Sequence, residues 1–382
     1  MNNKQNDDNL ILSRRSFIKA ASGFAGSLLL NSTSLRVSAI GLNDNNINQI
    51  SQEKAKSYTD ALEREVILPN TIKAVIPANK FAQIILLTLC PDLLVAVASF
   101  NEKDADVYNR SQMGFVSKLP RTGELYSKSG QIIDVKEIVD KGADIIIDLG
   151  GEKADLMYKL DYLQSNSGTA TVFINHSFGQ LAQTYRIIGE LLNYSARAES
   201  LASYIEGLSQ EIETKRKRVE TSPTVLYAGN DLASRGKMSI QDAVIEYLGG
   251  TVPKVDREIN VNHLLSQKID YLVMNDFDCF LSIYNGEGPG YDKWSEMPAV
   301  KRGDYACAPA LYHNWFGSLP LFAETIGLIW LGMLIWPNEY DFDIVQKVKE
   351  FYALFFNHPL IDEDVHTLLD FRFEPKRTSA LL

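Results

Sequence analysis

The chain has 382 residues, 45% hydrophobic and 23% charged, with a formal net charge of -10. That is a globular composition, long enough for two cores, and it excludes disordered, collagen-like and disulfide-stapled classes. No basic patch of nucleic-acid scale occurs: the run "KRKR" at Lys215 to Arg218 has acids on both sides and reads as a solvated helix end, so no nucleic-acid partner is expected.

Residues 1–39 differ from the rest. Paired arginines, Arg14 and Arg15, precede a short apolar run, "AASGFAGSLLL", and Val37 to Ala39 offer small residues for a peptidase. The pattern resembles a twin-arginine export signal, and a soluble periplasmic protein is expected after its removal. Cys90, Cys279 and Cys307 are the three cysteines; they form no CxxC, so neither a disulfide framework nor a zinc ribbon is expected.

Residues 40–69 read as a polar lead-in segment. After it, short apolar runs alternate with helical patterns. "TIKAVI" predicts a strand, "KFAQIILLTL" a helix and "LLVAVAS" a strand. "VKEIVDKG" then leads into the strand "ADIIIDLG", and "TATVFIN" follows a further helix. Such alternation predicts βα units with buried parallel strands. A long helical stretch follows, roughly Gly179 to Glu220, with Leu201, Ile205, Leu208 and Ile212 as one apolar stripe. A second series then begins: "TVLYAG", "SIQDAVIEYLGG", "VNHLLSQK", "IDYLVMND".

The two series share an ungapped match, "VKEIVDKGADIII" from Val135 with "VNHLLSQKIDYLV" from Val261, in which Asp144 meets Asp270. The expected fold is therefore α/β: two similar lobes with mainly parallel sheets joined by one long helix. The expected organisation is an N-terminal lobe at 70–192, a connecting helix at 193–220 and a C-terminal lobe at 221–382.

Ligands of open α/β sheets sit outside the carboxyl ends of the strands. Those ends are Pro77–Lys80, Ser99–Phe100, Gly150–Glu152, Asn175–His176, Gly229–Asn230 and Asn275–Asp276. The stretch "WSEMPAVKRGDYACAPALYHNWFGSLP", Trp294 to Pro320, crowds rings around three prolines and reads as a contact loop beside them.

Catalytic signatures are missing. There is no P-loop, no G-x-G-x-x-G after a strand, no G-x-S-x-G elbow and no H-E-x-x-H. The five histidines are far apart in sequence. His263 reads as structural, and His358 and His366 read as solvated helix-surface residues. His176 and His313 fall at predicted cleft positions. Binding is favoured over catalysis, with no catalytic residue, no metal ligand set and no resident cofactor expected.

The C-terminal third carries a resemblance. "MPAVKRGDYACAP", "IGLIWLGMLIWPNEYDF" and "VKEFYALFFNHPLIDEDVHTLL" are similar to segments of the substrate-binding proteins of ABC importers for iron–siderophores, haem and cobalamin. "EYLGGTV" and "GADIIIDLG" match weaker motifs of that family. The resemblance covers about residues 70–370. It implies a monomer with two lobes bridged by a long helix, which clamps a metal chelate in the cleft and hands it to a membrane permease. Trp294, Tyr312, His313 and Trp315 would form one wall, completed by Tyr227, Tyr291, Asn230 and Arg235. Asn79, Lys80, Tyr108, Arg110 and His176 would face them from the first lobe. Arg and Lys would pair with oxygens of an anionic chelate. The resemblance also implies an acid on the first helix of each lobe for docking. Glu246, or Asp242 one turn earlier, suits the second lobe. Gln83 stands near that position in the first, so the contact there would be weaker, moved to another residue such as Glu102 or Asp104, or absent. Two alternatives remain: a bare-metal binder using His176, His313 and a carboxylate, or an exported enzyme.

Overall fold

The computed structural model of the chain describes residues 56–100, 108–109, 111–126, 142–152, 155–228, 239–253, 261–274, 277–288 and 291–370. β1 (Lys56–Thr59) and β2 (Glu65–Leu68) form an antiparallel hairpin in which Tyr58 opposes Val66. β2 alternates, with Val66 and Leu68 buried and Glu65 and Ile67 outward, as the period-2 pleat requires. Buried Asp60 closes the turn by accepting from the amides of Leu62 (2.9 Å) and Arg64 (3.1 Å). It also accepts from Phe173 N (3.2 Å), which pins the hairpin to the first sheet.

That sheet is parallel, in the order β3 (Val75–Pro77), β4 (Ile145–Gly150), β5 (Ala170–Asn175). Ile145, Ile146 and Ile147 fill β4 and are all buried, because helices cover both faces of a parallel sheet. α1 (Lys80–Leu89) starts at Asn79, whose side-chain oxygen accepts from Phe81 N and Ala82 N. α2 (Leu156–Ser167) leads into β5, and α3 (Leu181–Leu191) follows it. α4 (Ser195–Arg216) is the long helix, and its stripe Leu201, Ile205, Leu208 and Ile212 is buried as its spacing requires.

The second sheet repeats the first: β6 (Val225–Ala228), β7 (Tyr271–Met274) and β8 (Tyr305–Cys307) are parallel in that order. α5 (Ile240–Leu248) and α6 (Val261–Ser266) precede β7, and α7 (Phe277–Asn285) follows it. The residues from Trp294 to Pro320 hold the end of a short turn at Tyr291–Trp294, another at Pro298–Arg302, β8, and the two-residue pair β9 (Ala310–Leu311) with β10 (His313–Asn314). α8 (Pro320–Ala323), α9 (Ile326–Ile335), α10 (Ile344–Phe356) and α11 (Asp362–Asp370) complete the chain's described part. All ten residues of α9 are buried, as expected of a helix apolar on every face. No helix among the described residues is long and apolar enough to cross a membrane.

The internal repeat reaches the hydrogen bonds. Asp144 Oδ2 accepts from Ala74 N (2.9 Å) and Asp144 N donates to Ala74 O (2.8 Å). Asp270 Oδ2 accepts from Thr224 N (2.9 Å) and Asp270 N donates to Thr224 O (2.8 Å). In each lobe one aspartate thus sets the register of the central strand on its neighbour.

Three expectations are corrected. "LLVAVAS" forms no regular strand; after a turn at Pro91–Leu93 it makes isolated bridges, Val75 to Leu94 and Val97 to Arg121. The expected helix from Gly179 to Glu220 is two helices. The chain reverses at Asn193 (φ 63°), because Gly189 on α3 packs against Ala198 on α4 and the two helices lie face to face. The ring-rich stretch, expected as a loop, contributes the edge strand β8 and its bordering turns.

Candidate functional site

The segment after β8 runs past the carboxyl ends of the first sheet and meets it in three places. The first is aromatic. Tyr312 is buried at the tip between β9 and β10, with a left-handed φ of 63° that a bulky residue adopts only under constraint. Its ring stacks on Phe356 (4.5 Å between centroids, 9°) and takes the edge of Tyr108 (4.8 Å, 75°). Its hydroxyl lies 2.8 Å from His358 Nδ1. Burial pushes the phenol up to about 12. The ladder continues in the first lobe through Phe100, 5.3 Å from Tyr108, to the Arg121 guanidinium, 5.2 Å above the Phe100 ring.

The second is His313, half-buried with its ring 5.5 Å from that of Phe322. Burial, with the Lys80 ammonium beside it, lowers its pKa to about 4, so the imidazole is neutral at pH 7. Lys80 opens α1, where the helix dipole adds positive potential. Asn79 is committed below it: its amide nitrogen donates to Leu149 O (3.0 Å) and to Asp148 Oδ1. Asp148 is buried and also accepts from the Tyr126 hydroxyl, whose pKa burial and this carboxylate push well up.

The third is polar and buried. His176 follows β5; its Nδ1 lies 3.0 Å from Thr184 Oγ1 and its Nε2 donates to Glu324 Oε1 at 2.9 Å. Glu324 Oε2 accepts from Gly179 N at 2.8 Å.

No protein-family model matches the chain, and no curated protein sequence matches it. Solved structures do. An ABC transporter solute-binding protein from Sulfurospirillum deleyianum is 20% identical at a TM-score of 0.72, over 82% of this chain and 99% of that one. A periplasmic solute-binding protein from Veillonella parvula is 19% identical at a TM-score of 0.65, over 82% and 97%. The molybdate periplasmic binding protein MolA of Haemophilus influenzae, bound to molybdate, is 16% identical at a TM-score of 0.65, over 80% and 99%. The chain has the fold of the periplasmic solute-binding proteins.

Within that fold the expected wall of rings is different. Trp294 has no exposed surface and packs in the second lobe's core with Leu226, Cys279 and Cys307. Trp315 is equally buried, and its Nε1 donates to the Tyr352 hydroxyl at 2.7 Å. Neither indole offers a ligand any surface, because α10 and the second sheet cover both. Tyr227 is half-buried with its ring edge-on to Phe316 (5.1 Å, 89°), and Tyr291 is half-buried at the start of its turn. Tyr312, His313, Lys80 and Tyr108 are brought together. Asn79 and His176 lie beside them, but both are held by partners within the protein. Arg110, Asn230 and Arg235 lie outside the described residues, as do residues 1–39, Glu102 and Asp104. His358, expected on a solvated surface, is instead turned onto Tyr312 by Asn357, which ends α10 in a left-handed conformation (φ 48°). Glu324 carried no motif that marked it, and Phe356 lay in a segment quoted only for its family resemblance, with no role given to it. Among the described residues, no three of His, Cys, Asp and Glu stand close enough to hold a metal ion.

The docking acids also separate. Glu246 is exposed on α5. Asp242 is half-buried and caps the helix: its amide donates to Ser239 Oγ (3.1 Å) and its carboxylate accepts from Ser239 N (3.3 Å). Burial pushes its carboxyl up. Gln83 is buried and bonds both backbone groups of Ser99 at 2.8 Å. It presents nothing to a partner.

Proposed function

We propose that the chain is an extracytoplasmic solute-binding protein, not an enzyme, that captures an anionic small molecule between its lobes and delivers it to an ABC importer permease. An iron–siderophore or similar metal chelate is the ligand class it suits best. The observation that carries this reading is the juxtaposition of Lys80, neutral His313 and the Phe100–Tyr108–Tyr312 ladder at the carboxyl ends of the first sheet. Tyr108 and Tyr312 are buried and back the site, while half-buried Phe100 and His313 keep part of their rings open to a chelate and the exposed Lys80 ammonium offsets its charge. The solute-binding fold supports the same reading.

The test is calorimetric titration of the protein with ferric hydroxamates, ferric catecholates, haem and cobalamin, alongside molybdate, Zn²⁺ and Mn²⁺. One chelate is expected to bind with a Kd of about micromolar or tighter, on the order of 8 kcal/mol. Heat from Zn²⁺ or Mn²⁺ alone would replace the chelate with a bare ion, and heat from molybdate alone would replace it with an oxyanion. Silence from the whole panel would remove the reading.

A further inference from the structure

His176 and Glu324 come from different lobes, and both are buried. His176 ends β5 of the first lobe. Glu324 belongs to the C-terminal lobe by sequence and follows α8, which packs against α5 of the second lobe and also against α1 of the first. A buried carboxylate is tolerated only when its oxygens are hydrogen-bonded. Here both oxygens find first-lobe donors, the His176 ring at 2.9 Å and the Gly179 amide at 2.8 Å. The donors are themselves held in place. Thr184 Oγ1 donates to Gln180 O (3.1 Å) and lies 3.0 Å from His176 Nδ1, so the ring is fixed from within its own lobe. Gly179 has a left-handed φ of 84° with nothing within 4 Å of where a Cβ would stand. It is therefore glycine for its backbone, which aims its amide at Glu324, and not for space. The same turn touches the second lobe again, where the Phe178 ring meets Tyr247 of α5 at 5.5 Å.

We propose that the turn from His176 to Gln180 is a latch that engages Glu324 and sets how far apart the two lobes stand. Separating the lobes strips Glu324 of both its donors and His176 Nε2 of its acceptor, while Nδ1 keeps Thr184, so the latch favours one opening of the cleft. His176 then acts between the lobes and is not a contact for the ligand.

The test uses no ligand, so its failure is distinct from failure of the binding reading. Spin labels at Ser165→Cys in α2 and Asn285→Cys in α7, both exposed, report the distance between lobes, while the native thiols are buried. The unaltered latch is expected to give one narrow distance distribution. His176→Ala and Glu324→Ala are each expected to raise a second, longer population about tenfold, and the double variant no further than either alone. Glu324→Gln keeps the shape and one acceptor, and is expected to fall between. It also serves if the alanine variant does not fold. Unchanged distributions in every folded variant, with only a lowered melting temperature, would overturn the latch and leave the pair a static core contact.

Discussion

Tyr312 shows how one residue can be held against its own preference. A left-handed φ on a non-glycine residue costs on the order of 1–3 kcal/mol, and here the Phe356 stack and the His358 contact offset it. Tyr312→Phe should cost about 1 kcal/mol by losing only the hydroxyl's bond. Tyr312→Ala should cost about 3–5 kcal/mol by losing the ring. Urea unfolding of both variants reads the difference, and equal effects would show that the ring contributes nothing. His313 makes a pH prediction. Its folded pKa of about 4 lies below the ordinary value of 6.5, so the unfolded chain binds the extra proton first. Stability should therefore be intact above pH 6.5 and fall as pH drops from 6.5 to 4. His313→Gln should flatten that part of the profile relative to the parent protein. Both residues were legible in the sequence because they follow a strand end in a ring-rich stretch. The tryptophans misled because a ring's exposure depends on which helix later covers it, and α10 lies more than twenty residues beyond Trp315.

At the scale of elements, α3 and α4 cross at a point only glycine permits. A Cβ at Gly189 would stand 2.3 Å from Ala198 Cβ. Gly189→Ala should therefore destabilise by about 1–3 kcal/mol through overpacking, the opposite sign to an open helical site. Gly207 on α4 is that open site, with nothing within 4 Å of its missing Cβ, and Gly207→Ala should stabilise by about 0.5–1 kcal/mol. Thermal melts of the pair check both signs. The repeat of Asp144 and Asp270, the buried stripe of α4 and most strands were legible, because apolar period and turn residues are local signals. The domain boundary expected at 192/193 falls at this break, but its cause was not legible, since no proline marks it and only the packing of Gly189 on Ala198 requires it.

For the whole molecule, exposed Glu246 is free to meet a partner while Asp242 is engaged in its cap. Glu246→Lys should leave the melting temperature within the range of an ordinary surface change, about ±0.5 kcal/mol, and abolish or slow uptake into vesicles carrying the cognate permease. Asp242→Lys should lower stability by roughly 1 kcal/mol through the lost cap whatever its effect on uptake. Intact transport with both variants would remove the permease as partner. Gln83→Lys should be strongly destabilising, since it places an ammonium where Ser99 needs both a donor and an acceptor.

The wholly buried α9 has a consequence for how the chain must fold. Its residues belong to the same apolar cluster as Val75 and Ile145 of the first sheet and Val225 and Val273 of the second. Both sheets precede α9 in the chain, so without it the apolar cluster they share stays unfilled between the strands. Neither lobe then has a complete interior of its own. A fragment ending at residue 316 would keep every strand of both sheets and still aggregate, because the last helices supply the filling that makes the two lobes one cooperative body.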